Sequence, residues 1–137
     1  MSSAARQAVR RLFAATGSGD LTELCTRSGI QLMVLFGSAR HPDGDPSDVD
    51  VAVRFDRDAS HDVLGLLDGL YDLTGYEGYD VLDLGRAGPL PRERAMVGAR
   101  VLYEHRPGMF ANEQIAAIME RLETDEMRRV ELALMTR

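Results

Sequence analysis

The spacing of apolar and polar positions changes several times along the chain, and each change marks an element. Ala5, Ala8, Val9, Leu12 and Phe13 recur at helical spacing before Gly17 and Gly19, which predicts a helix from about Ser3 to Thr16. Asp20 is placed to cap a short second helix, Leu21 to Arg27, that stops near Gly29. Ile30 to Phe36 is a short apolar run with Ile and Val content, the pattern of a buried strand. After a polar interval, Asp48 to Phe55 alternates, with Val49, Val51 and Val53 on one face and the acids Asp48 and Asp50 opening the other. Ser60 is placed to cap a helix carrying Val63, Leu64, Leu66, Leu67, Leu70, Tyr71 and Leu73, which ends at Gly75. Gly78 to Leu84 reads as a third strand. Pro89 and Pro91 open a helix running to about Ala99, since proline is tolerated in a first turn, and Val101 to Tyr103 reads as a short edge strand. After Pro107 and Gly108 a last helix, about 111–136, carries Ile115, Ile118, Met119, Leu122, Met127, Val130 and Leu134 in approximately one stripe among Glu and Arg. Packing against the core is the default expectation for that stripe; docking of another protein is the rival.

The order of elements constrains the topology. The link between the first two strands is shorter than the dozen or more residues a parallel crossover takes, so these strands are expected to be antiparallel neighbours. The second and third strands are separated by a helix, which makes a right-handed βαβ unit with parallel strands. The expected architecture is α/β: a small mixed sheet flanked by helices, with a long C-terminal helix. It is expected to form a single domain over 1–137, with its core at about 30–104.

Composition narrows the setting. At 137 residues, 45% apolar and 28% charged, the chain has the make-up of a soluble globular protein with a proper core. No apolar run approaches the roughly 20 residues needed to cross a bilayer. The basic N-terminus lacks the apolar stretch of a secretory signal. The lone Cys25 has no internal disulfide partner and reads as a half-buried structural thiol in a reducing compartment, so a cytoplasmic location is expected. A net charge of −6 disfavours a nucleic-acid partner, whose grip would rest on basic contacts to phosphate, and favours a small-molecule or protein substrate.

The stretch from Leu35 to Val53, LFGSARHPDGDPSDVDVAV, concentrates the chemistry. Asp48 and Asp50 are two residues apart at the opening of a strand, so their side chains are expected on one face. Two such carboxylates repel unless a cation joins them, and Mg²⁺ takes one or two carboxylates together with substrate phosphates. A third acid completes a two-metal phosphoryl or nucleotidyl site. The third strand offers Asp80 and Asp83, three residues apart and therefore on opposite faces. Asp80, at the opening of a parallel neighbour, is the better placed; Asp83 is second. Gly37 and Ser38 leave the first strand at the same end, glycine allowing backbone N–H groups close to a phosphate and serine adding a hydroxyl donor. A short helix over residues 38–41 would add its N-terminus, and Arg40 is a forked donor for the β- or γ-phosphate.

Gly37-Ser38, then nine residues, then Asp48-Val49-Asp50, followed by YDVLDL at 79–84, resembles the signature of the DNA polymerase β-like nucleotidyltransferase superfamily, and within it the minimal nucleotidyltransferases. The segment through Gly98 to Val101-Leu102-Tyr103 is similar to their helix and final short strand, so the resemblance covers about 30–104 and extends loosely to the last helix. The best match is to the antitoxins of HEPN–MNT toxin–antitoxin pairs, which transfer AMP from ATP to a tyrosine of the HEPN ribonuclease toxin. The resemblance implies that fold, Asp48, Asp50 and Asp80 as catalytic residues and ligands of two Mg²⁺ ions, Asp80 as base for the attacking hydroxyl, and Gly37, Ser38 and Arg40 at the triphosphate. It also implies ATP as substrate, a HEPN-type toxin as partner and a homo- or hetero-oligomer. The chain departs from the usual pattern, in which ten residues separate Gly-Ser from the first Asp and the Arg follows Ser by three. Here the loop is nine residues and Arg40 follows by two. Two other readings compete: an antitoxin that acts by binding and occlusion without catalysis, and nucleotidyl transfer to a small molecule such as an aminoglycoside.

Overall fold

The computed structural model of the chain describes residues 3–41 and 47–136. The middle of the Ala39–Ser47 loop therefore lies outside the described residues. Its elements are α1 (Ala4–Ser18), α2 (Asp20–Arg27), β1 (Ile30–Phe36), β2 (Val49–Phe55), α3 (Val63–Thr74), β3 (Tyr79–Asp83), α4 (Pro89–Met96), β4 (Arg100–Glu104) and α5 (Met109–Met135), with a single 3-10 turn at Gly37–Arg40. The sheet order is β3-β2-β1-β4. β1 pairs antiparallel with β2 and with β4, whereas β2 and β3 are parallel, as the connection lengths predict.

The side-chain alternation of β1 and β2 divides the apolar residues between two layers. Met33, Leu35, Val49, Val51, Val53 and Phe55 face α1, α2 and α3, where they join Leu12, Leu21, Leu24, Leu66 and Leu70 in the larger core. Leu32, Val34 and Ala52 face the other way, onto Ala95 and Met96 of α4 and Ala117 of α5. Because a strand has a two-residue side-chain period, the first layer's claim on Val49, Val51 and Val53 turns Asp50, Ala52 and Arg54 to the α4–α5 side.

Helix ends differ from expectation in three places, each with a local cause. Asp62, not Ser60, caps α3, its Oδ1 accepting the Gly65 N–H at 2.9 Å. α4 stops at Met96 rather than near Ala99, because Gly98 at φ +76° turns the chain into β4. α2 already includes Asp20, and the left-handed Gly19 at φ 89° takes the cap position. Two of the α3 residues expected on its apolar face are outside it: Leu64 is 77% exposed and Tyr71 47%. Cys25 is fully buried, and burial pushes its thiol up to about 12.

The stripe on α5 is the larger departure. Ala117 is the buried residue of this helix, while Ile115, Met119, Leu122, Met127, Val130 and Leu134 are all exposed. α5 is held in its first half, where Ala117 and Phe110 join the second core layer and polar contacts add to them. Arg54 clasps Glu113 through two hydrogen bonds, Nε to Oε1 at 2.5 Å and Nη2 to Oε2 at 2.8 Å. Arg92 pairs with Glu120, and Gln114 donates to the Met96 carbonyl at 3.1 Å. The second half of the helix carries its apolar residues past the body of the fold.

Candidate active site

The three acids that the strand argument groups are brought to one end of the sheet. Asp50 and Asp80 are direct partners in the parallel β2–β3 ladder. Asp48 lies just before β2, where the Val49 N–H donates to the Gly78 carbonyl at 3.1 Å and starts the ladder two residues before Asp80. Asp48 and Asp80 are exposed and Asp50 is half-buried. Burial, and then the charges of Asp80 and Asp48, hold the Asp50 carboxyl above the usual carboxylate range. The acids thus act on one another electrostatically, and among the described residues no group of three or more His, Cys, Asp or Glu side chains is closed into a ready-made metal cage.

Gly37 is where the backbone admits this arrangement. It follows Phe36, which pairs with Asp50, and it adopts φ +69°, in the left-handed region that favours glycine. A Cβ there would overlap Asp50 Oδ2 and lie 3.3 Å from its Cγ, so the glycine makes room for the carboxylate itself. Ser38 is exposed beside it. The expected short helix is the one 3-10 turn, closed by the His41 N–H on the Ser38 carbonyl at 3.3 Å, and too short for a helix dipole to contribute. Arg40 is on that turn, but its Nη1 donates to the Val97 carbonyl at 3.3 Å and its guanidinium lies over Gly98.

Asp83 is elsewhere. It pairs in register with Val53, takes the His61 Nδ1 and the Gly85 N–H, the latter at 3.0 Å, and sits 3.7 Å from Arg86 Nε. Its charge is compensated locally, at the other end of the β2–β3 pair from Asp50. A cleft of about 350 Å³ lined by Arg54, Arg92, Met109, Asn112, Glu113 and Ala116 also opens at that other end. That cleft is lined by none of the three acids, of which Asp48 and Asp80 are exposed.

Tyr76 was not singled out by sequence reasoning. Its hydroxyl donates to the Ser47 carbonyl at 3.0 Å, beside the acids. The available signal was weak: a large aromatic between Gly75 and Gly78 in the turn before an acid-bearing strand.

The donor set fits a hard divalent cation. All its atoms are carboxylate oxygens, and Mg²⁺ favours one or two carboxylates with substrate phosphates over a closed protein cage.

Comparison with known proteins bears on the fold and the family. No curated protein matches the chain. Among solved structures, a chain of a toxin–antitoxin crystallised with AMP-PNP is similar at a TM-score of 0.66 and 17% identity, over 87% of this chain and 98% of that one. A chain of the toxin–antitoxin MntA-HepT gives 0.60 and 17%, over 85% and 94%. A chain from the complex of tri-AMPylated Shewanella oneidensis HEPN toxin with MNT antitoxin gives 0.61 and 17%, over 89% and 99%. At such identities the likeness is one of fold. The family model described as nucleotidyltransferase domain matches residues 21–137, most of the sequence, and the chain belongs to that family.

Proposed function

We propose that this protein is a Mg²⁺-dependent nucleotidyltransferase that moves AMP from ATP onto a tyrosine hydroxyl of a partner HEPN toxin, releasing pyrophosphate and so acting as its antitoxin. The observation that carries the reading is the Asp50–Asp80 register pair on parallel strands, with Gly37 shaped around the Asp50 carboxylate. An Asp50 whose ionised form is disfavoured by burial and by the charges of Asp80 and Asp48 is a liability to the fold unless a cation is its purpose.

Asp48, Asp50 and Asp80 would hold two Mg²⁺ ions, which supply neutralisation of the triphosphate charge and a lowered pKa for the attacking hydroxyl. The chain's own groups do the rest. Gly37 and Ser38 present backbone N–H and hydroxyl donors to the phosphates, and Asp80, which is solvent-exposed, takes the hydroxyl proton. A bond forms between the tyrosine oxygen and the α-phosphorus as the bond to the β-phosphate oxygen breaks, and pyrophosphate leaves. The contribution is positioning and charge compensation rather than covalent catalysis. Arg40 spends its Nη1 on the Val97 carbonyl, which leaves its Nε and Nη2 donors for a phosphate.

Two observations support a protein acceptor. The exposed apolar residues of α5, from Ile115 to Leu134, offer a docking face that the fold itself does not cover. The similar folds also occur in toxin–antitoxin structures, one of them with AMP-PNP and one with a tri-AMPylated toxin. The same exposed face suits an antitoxin that binds and occludes without chemistry. Intact mass spectrometry of a HEPN partner co-expressed with this protein separates the two. A gain of one or more AMP units that disappears with Asp50→Asn is expected; an unmodified yet silenced partner would favour occlusion.

A further inference from the structure

The turn between α3 and β3 is built around one side chain. Gly75 ends α3 in the left-handed region at φ 70°, its N–H on the Tyr71 carbonyl. Tyr76 then folds back over Gly78, close enough that a Cβ on Gly78 would overlap the phenol oxygen and ring. The ring meets Tyr79 edge-on, with centroids 5.6 Å apart, and Tyr79 is itself fixed by a 2.8 Å hydrogen bond between its hydroxyl and that of buried Thr74. From this seat the Tyr76 hydroxyl donates to the Ser47 carbonyl. Two hydrogen bonds therefore join the openings of the acid-bearing strands: Tyr76 Oη–H to Ser47, and the Val49 N–H to the Gly78 carbonyl. Asp48 lies between their two ends on the chain.

We propose that Tyr76 is a positioning residue for nucleotidyl transfer, clamping the backbone at Ser47 so that the next residue, Asp48, is presented beside Asp50 and Asp80. Asp48 precedes β2 and is exposed, so the ladder that orients Asp50 and Asp80 does not extend to it. An exposed carboxylate outside the ladder has many rotamers and backbone positions open to it, and a fixed flanking carbonyl removes part of that freedom. Burial, and then the charge of Asp48, disfavour ionisation of the phenol. Gly78 is the counterpart of the device: it leaves the space into which the ring folds.

This inference rests on the proposed activity, and the test separates the two. Wild type, Asp50→Asn, Tyr76→Phe, Gly78→Ala and the Tyr76→Phe/Gly78→Ala double variant are compared. Mn²⁺ affinity is read by titration in electron paramagnetic resonance, AMP transfer by kcat and KM, and folding by thermal melting. Tyr76→Phe is expected to weaken Mn²⁺ binding and lower kcat/KM by up to about tenfold, the worth of one hydrogen bond that positions Asp48, with the melting transition intact. Gly78→Ala, by pushing the ring off its seat, should reproduce that loss, and the double variant should lose little more than either alone. Wild-type Mn²⁺ affinity and kcat/KM in Tyr76→Phe, with Asp50→Asn inactive, would overturn the positioning role and leave the function standing. A wild type that neither binds Mn²⁺ nor transfers AMP would overturn both.

Discussion

The two ends of β2 hold charges in opposite ways. At the far end two charges on the paired strands are answered: Arg54 is clasped by Glu113, and Asp83 on the neighbouring strand is met by His61, the Gly85 N–H and Arg86. At the near end Asp50 faces Asp80 across the ladder with Asp48 close by, and its carboxyl is held above the ordinary range. A single strand thus carries a solved electrostatic problem at one end and an unsolved one at the other. Folding stability favours the first kind. The second persists where a ligand completes it, which is the role proposed here for these acids.

The comparison is broken most severely by Asp50→Asn, which should lower AMP transfer by at least about a hundredfold while the protein folds. Its stability effect has a definite sign. The folded-state carboxyl of Asp50 is raised, so its contribution to stability is fully present below its unfolded pKa and is lost as pH rises through the folded value. Without divalent metal, Asp50→Asn should therefore melt higher than wild type near neutral pH, with the gap closing toward about pH 4. Melting curves in EDTA at several pH values check it; a variant that melts lower throughout would contradict the repulsion.

Gly37→Ala comes next. It asks a residue with a side chain to hold a left-handed φ, costing about 1–2 kcal/mol, and it drives a methyl into the Asp50 carboxylate. Transfer should fall far more than stability does, which denaturant melts and kinetics on the same preparation would show. At the answered end, Glu113→Gln removes one partner of a half-buried forked pair. It should cost about 1–2 kcal/mol of stability with kcat per folded molecule unchanged. The smallest effect on folding is expected at the exposed end of α5. Val130→Asp should shift stability by less than about 0.5 kcal/mol and leave metal binding intact, while reducing capture of the partner in a pull-down.

Most of the route to this contrast can be read along the chain. Alternation in VDVAV turns Val49, Val51 and Val53 inward and Asp50 outward, and the length of the β1–β2 and β2–β3 links sets which strands are parallel. Preferring Asp80 to Asp83 rested on the two-residue period together with the parallel direction of β2 and β3, which sets Asp80 at the same end as Asp48, and the register places Asp80 opposite Asp50. The answered end was not legible, because Arg54, His61, Asp83 and Glu113 meet through tertiary packing that no local spacing encodes. α5 misled for a related reason. A helical stripe of apolar residues has the same periodicity whether the fold or another surface covers it, and here the fold covers Ala117 while leaving Ile115 to Leu134 exposed. Arg40 is similar: its place after Ser38 is local, but its hydrogen bond to Val97 comes from a turn 57 residues away.

The central claim is that the unanswered acids exist to transfer a nucleotide. It is tested most directly by incubating the protein and its partner with Mg²⁺ and ATP labelled either at the α- or at the γ-phosphate. The account predicts that label enters the partner from the α position only, requires the metal, and is absent with Asp50→Asn. Label entering equally with Asp50→Asn, or from the γ position, would contradict it.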